Sequence, residues 1–147
     1  MNTKVLKELK KEFIDSLLDK SFEVNDEVNS LKKHIEKEKR ENDKTYWPQI
    51  IFHKKKKSLQ LLSLFIRVYK LDLQFENLTE GERKTELYSI KAFQKSFQTP
   101  DLMTIFVEEL GRWVLKTHPT FYAGTLRIIN EIDSQETLLE LKSKKVI

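Results

Sequence analysis

The sequence predicts an all-α fold, a compact multi-helix bundle or short helical stack of about six to eight helices. Three observations predict it. Apolar residues recur at steps of three and four along most of the chain. Three Gly and three Pro in 147 residues leave long stretches without a breaker. The one alternating run, Leu71 to Phe75, has no clear partner strand. The length suits a single all-helical domain over 1–147, with 1–42 as a helical hairpin or one long helix and 46–147 as the main helical core. A chain of this size buries roughly 70% of its unfolded surface, enough to fold without metal or disulfide staples.

Taken in order, residues 3–19 place Leu6, Leu9, Phe13 and Leu17 on one helical face. Val24, Val28, Leu31 and Ile35 follow as a coiled-coil-like seam in a different heptad phase. The helix therefore breaks near Lys20 and Ser21, which is the favoured reading, or continues through a stutter. Tyr46, Trp47, Pro48, Ile50, Ile51 and Phe52 form a compact apolar segment, with Pro48 allowed at a helix start. Ser58 then reads as the cap of a further helix through Leu61, Leu64, Val68, Leu71 and Phe75.

Thr79 and Glu82 make a capping box for a helix with Leu87, Ile90, Phe93 and Phe97 inward and Lys84, Lys91 and Lys95 outward. Thr99, Pro100 and Asp101 suit the start of the next helix, which the rest of the chain is expected to surround. Its stripe runs through Leu102, Phe106, Leu110 and Trp113 and is widened by Met103, Ile105, Val107, Val114 and Leu115. It ends near His118, because Pro119 disfavours helix there. Phe121 to Ile132 suggest another helix, and Ser134 is read as the cap of a last one through Leu138, Leu139 and Leu141.

Composition excludes several function classes. Cys is absent, which rules out a disulfide framework and thiolate chemistry. The longest uncharged run in the middle of the chain, Ser58 to Ile66, is far short of the ~20 apolar residues that span a bilayer. Lys4, Lys7 and Glu8 stand where a signal peptide needs an apolar region. The expectation is an intracellular protein, cytoplasmic, or nuclear in a nucleus-bearing cell, with no membrane partner. Net charge is +4, and most of the excess lies in 41–60, which carries five basic and two acidic groups.

Nothing in the sequence assembles a recognisable catalytic constellation. Gly81, Gly111 and Gly124 are isolated, so no phosphate-cradling loop of a known type exists and no cofactor is expected. His34 and Glu38 share a helix face, but two ligands are too few for a metal site. Glu108 stands four residues before Arg112, where an ion pair along the helix explains both more simply than acid–base catalysis.

Arg112 and His118, at the end of a helix in an all-α chain, are separated by five residues. This spacing resembles the Arg-x(4–6)-His signature of HEPN ribonucleases. The resemblance implies action of that pair on a scissile phosphate and its 2′-hydroxyl, usually across a dimer. Trp113 follows the Arg where that family commonly has a polar residue, and the simpler reading is that Arg112 pairs with Glu108 while His118 ends a helix.

Binding is the expectation that remains. The first reading is a non-enzymatic protein-interaction or adaptor domain, with Tyr46, Trp47 and Phe52 as an aromatic anchor and another protein as partner. Self-association through the N-terminal helices would make that partner a second copy. The second reading is nucleic-acid binding through His53, Lys54, Lys55, Lys56 and Lys57, extended by Lys84, Lys91 and Lys95 along a phosphate backbone. A HEPN-like ribonuclease is the third. Residues 79–97 and 99–117 could mimic a helix-turn-helix, but its second helix would turn Asp101, Glu108 and Glu109 toward the phosphates.

Overall fold

The computed structural model describes residues 3–41, 46–97 and 102–133, and among them it has five helices and no strand. They are α1 (Thr3–Glu41), α2 (Tyr46–Gln74), α3 (Glu80–Lys95), α4 (residues 102–117) and α5 (Tyr122–Asp133). The all-α expectation holds, and the six to eight helices become five. The predicted helix from Ser134, and the predicted start of α4 at Thr99, Pro100 and Asp101, lie outside the described residues.

Two mergers account for the smaller number. α1 does not break at Lys20 and Ser21; it runs on for 39 residues, the stutter alternative. Phe13, Leu17, Val24, Val28 and Ile35 are buried along it, and half-buried Lys20 and Ser21 bridge the gap in the seam. Lys20 fills its place with its stem, its ammonium lying 5.6 Å from the centre of the Trp113 ring and 3.2 Å from Glu23. The second merger joins the Tyr46–Phe52 segment to the pattern after it. Pro48 falls in the first turn of α2, where no N–H is needed. Ser58 is no cap: it is buried inside α2, and its hydroxyl donates to the Lys54 carbonyl at 3.0 Å.

α1 and α2 form an antiparallel hairpin. Lys10 meets Asp72, Phe13 meets Tyr69 with ring centroids 5.2 Å apart, and Glu27 meets Lys55 at 2.9 Å, so partner numbers fall as α1 is climbed. This hairpin, rather than α4, is the element on which the rest packs. α4 does not present the uniformly buried stripe expected of it. Its middle turn, Val107–Gly111, is π-helical, and the extra residue in that turn shifts every later side chain around the axis. Leu102, Ile105, Phe106, Leu110 and Val114 face the core, while Val107 and Leu115 are about half exposed. The same turn takes Glu108 out of i,i+4 register with Arg112, and Glu108 pairs with Lys54 of α2 at 3.0 Å.

α3 opens with the capping box as read: the Glu82 N–H donates to Thr79 Oγ1 at 3.2 Å and the Thr79 N–H to Glu82 Oε1 at 3.0 Å. The exposed Glu82 carboxyl is held below its ordinary range by those two contacts with Thr79. Arg83 fastens the preceding turn, its Nε donating to the Phe75 carbonyl at 2.7 Å with the guanidinium over the Phe75 ring. α4 ends at His118 before Pro119, and α5 brings Thr125, Ile128 and Ile129 onto the hairpin base. There Phe13 stacks on Phe121 at 4.9 Å, and Tyr69 meets both rings edge-on. α1 thus contributes to one continuous core with α2, α4 and α5 rather than standing apart from it.

Candidate functional site

The turn end of the hairpin carries the exposed aromatics. Tyr46 and Trp47 open α2 and are 70% and 69% exposed, with their rings edge-to-face at 5.2 Å. Two large rings held in water against each other have apolar surface to bury against something else. Pro48 fixes the backbone directly after them. Phe52, the third aromatic expected in the anchor, turns partly into the core and carries the Lys56 ammonium 5.4 Å from its ring centre. Ile51, one turn after Trp47, is exposed instead.

Beside these residues the groove between α1 and α2 is open. Ile51 and Leu31 floor a shallow hollow of about 580 Å³, walled by Glu23, Asp26 and Glu27 on α1 and by Lys55 on α2. Lys55 bridges α1 to α4, binding Glu27 at 2.9 Å and Glu109 at 3.0 Å. Partial burial pulls its pKa down, but the two carboxylates outweigh that and leave it above the ordinary lysine value. The hollow is therefore apolar at its base and predominantly anionic at its edge.

The lysines singled out for phosphate binding are divided by the fold. Lys54 pairs with Glu108, Lys55 with Glu27 and Glu109, and Lys56 lies on Phe52. His53 is exposed and Lys57 half-buried. α3 runs antiparallel along the distal half of α2, with Arg67 over Phe93 and Arg83 over Phe75. Lys84 consequently sits about 21 residues along α2 from Lys54, roughly 30 Å away. Lys91 and Lys95 lie closer on the same helix, and Lys84 itself pairs with Glu80 at 3.5 Å. Lys84 therefore stands apart from the Lys54–Lys57 run. Glu108 and Glu109, which argued against a helix-turn-helix, are the partners of Lys54 and Lys55.

The residues of the HEPN-like spacing are also separated by environment. Arg112 is exposed, whereas His118 is half-buried, with Nε2 2.9 Å from Ser16 Oγ and its ring 5.1 Å from that of Phe13. His118 does end the helix, its N–H donating to the Val114 carbonyl at 2.8 Å. Among the described residues no three His, Cys, Asp or Glu side chains converge as a metal site requires, and no helix is long and apolar enough to cross a membrane. His34 is exposed on α1, one turn from Glu38.

Sequence reasoning missed the carboxylate wall of the hollow. The signal was present: Glu23 and Glu27 flank the Val24–Val28 seam at positions that in paired helices meet charges of the opposite helix. Compared with protein-family models, curated proteins and solved structures, the chain has no significant match in any of the three.

Proposed function

We propose that this chain is a non-enzymatic protein-interaction module that grips a basic, apolar segment of a partner protein at the tip of the α1–α2 hairpin. The observation that carries the reading is the exposed Tyr46–Trp47 pair next to a hollow with an Ile51–Leu31 floor and a Glu23–Asp26–Glu27 wall. Trp and Tyr supply large rigid contact area at little entropic cost, and anchors of this kind dominate interface energies. Lys20 pairs with Glu23 and Lys55 with Glu27, so the three carboxylates leave one negative charge in excess, which favours Lys and Arg on an incoming segment and disfavours a phosphate backbone. Apolar residues at helical spacing on that segment would fill the floor as a third helix in the groove.

The test is selection from a random peptide library displayed on phage against the full chain. The expected winners combine Lys or Arg with apolar residues one turn apart. Trp47→Ala should weaken them by about thirtyfold or more, the scale of a binding hot spot, and Tyr88→Ala, at an equally exposed ring on α3, should leave them unchanged. Winners without a basic bias, or indifferent to Trp47→Ala, would sink the reading. Fluorescence anisotropy with short RNA and DNA decides the nucleic-acid alternative. Tight binding that falls steeply between about 50 and 200 mM salt, and is lost in the Lys54→Glu, Lys56→Glu double variant, would replace the protein partner with a nucleic acid.

A further inference from the structure

A second concave site lies toward the opposite end of the hairpin, roughly 35 Å from Trp47 along α2. It is a cavity of about 340 Å³ between α1, α2 and the start of α5. Leu6, Val68, Tyr69, Phe121 and Ile128 wall it, and the exposed Thr120 and Arg127 stand at its mouth. Packed interiors hold few voids larger than a water molecule, and an apolar one of about 150 Å³ stays dry and takes up benzene. A cavity more than twice that size has room for a larger guest.

The polar groups of the lining are already engaged. Lys10 is bonded to Asp72, and Arg127 has an interaction of its own. The Tyr69 hydroxyl lies 2.9 Å from Thr125 Oγ1 and donates to the Phe121 carbonyl at 3.4 Å, to which Thr125 also donates at 2.7 Å. Burial pushes the Tyr69 phenol up to about 12, so it is uncharged at neutral pH. Gly124 leaves that hydroxyl its room, since a Cβ there would stand 3.1 Å from it. No buried side-chain polar atom of this lining lacks a hydrogen-bond partner. A polar or charged guest would shed water on entering and find no buried side-chain group waiting to replace it.

We propose that this cavity binds an uncharged, hydrocarbon-rich molecule of the size of a medium-chain alcohol, its chain between Leu6, Val68 and Ile128 and its head at the mouth beside Thr120. Apolar surface of guest and walls leaves water together, which supplies the favourable free energy. An anionic head would compete with Asp72 for Lys10, and a cationic head with Lys10 for Asp72. Either ion has to disturb a bond that a neutral head leaves alone. Selection is thus for the absence of charge. The site is independent of the hairpin tip and stands or falls separately from it.

The experiment is a calorimetric titration of the full chain at neutral pH with octan-1-ol, octanoate and octylammonium, which share a chain length and differ in the head. Octan-1-ol is expected to saturate at one molecule per chain, and each ion to bind more weakly by about tenfold or more. Leu6→Trp should fill the cavity and abolish octan-1-ol binding while melting within a few degrees of the parent, and Trp47→Ala should leave that binding unchanged. Methyl NMR of the parent locates the guest without any variant: octan-1-ol should shift Leu6, Val68 and Ile128 and leave Leu31 and Ile51 where they are. Absence of saturable octan-1-ol binding overturns the proposal. So does either ion binding as tightly as the alcohol, which would remove the selection for a neutral guest. Methyl shifts at Leu31 and Ile51 instead, or undiminished binding by a folded Leu6→Trp variant, would place the guest elsewhere and equally overturn it.

Discussion

The hairpin formed by α1 and α2 is finished differently at its two ends. Toward the base its inward positions are Phe13, Leu17, Leu61 and Phe65, all fully buried under α4 and α5. Toward the tip they are Val28 and Ile35, each 9% exposed, and Tyr46, Trp47 and Ile51 stand in solvent beyond them. Helical spacing is equally good in both halves. What differs, among the described residues, is side-chain size and the presence of a third helix. Spacing establishes that a seam exists, whereas what covers it depends on elements distant in sequence.

If the base is the structural half, its removal should be costly. Phe13→Ala deletes a ring that stacks on Phe121 and meets Tyr69 and His118, and the expected loss is about 3–5 kcal/mol in denaturant unfolding. A loss below about 1 kcal/mol would erase the distinction between the two ends. Thr125→Val keeps the shape but takes away the nearer partner of the buried Tyr69 hydroxyl, leaving it the Phe121 carbonyl at 3.4 Å, at an expected cost of about 1 kcal/mol. The variant Thr125→Val, Tyr69→Phe removes both polar groups and should recover part of that loss, which a double-mutant cycle reads directly.

Lys55 marks the boundary between the halves, because it is where α4 is tied to the hairpin. Its folded-state pKa is raised, so its contribution to stability is complete below the unfolded value of about 10.4 and is lost as pH rises through the folded value. Lys55→Met should cost less than about 1 kcal/mol at neutral pH, as exposed or half-exposed ion pairs do. Above about pH 10.4 the difference between variant and parent should shrink. Tyr69 titrates in the alkaline range too, but it is common to both proteins and cancels in that difference. A difference that grows with pH would mean that Lys55 is held by something other than Glu27 and Glu109.

How much of this was legible in the sequence follows the same division. Local signals were read correctly where a single helix contains both partners: the Thr79–Glu82 box and the end of α4 at His118 are as expected. They failed where one helix meets another, and where a feature inside one helix leaves no mark on the sequence. The seam through Lys20 and Ser21 looked like a break because the lysine stem and a Trp113 ring from a helix some ninety residues later complete it. Ser58 looked like a cap because its satisfied hydroxyl, bonded to the carbonyl one turn back, has no distinct sequence signature. The π-helical turn in α4 has none either; it leaves Val107 about half exposed and takes Glu108 out of register with Arg112. For the candidate site, Tyr46 and Trp47 were identifiable as an aromatic pair beside a proline. The carboxylate wall needed the register of the hairpin, which places Glu27 opposite Lys55.

The smallest effect on stability is expected where the proposed effect on binding is largest. Trp47 is exposed and its ring touches that of Tyr46, so Trp47→Ala should shift unfolding by no more than about 0.5 kcal/mol. It should at the same time weaken a basic apolar peptide by more than about 2 kcal/mol if Trp47 is the anchor. Asp26→Lys tests the wall beside it in the opposite sense. The substitution reverses one charge at an exposed position, leaves the Ile51–Leu31 floor in place, and should slow association of a basic peptide more than it speeds dissociation. A variant pair in which Trp47→Ala acts on dissociation and Asp26→Lys on association would separate anchoring from steering. If Trp47→Ala destabilises the fold as much as Thr125→Val does, the tip is part of the core after all and its exposed rings are no anchor.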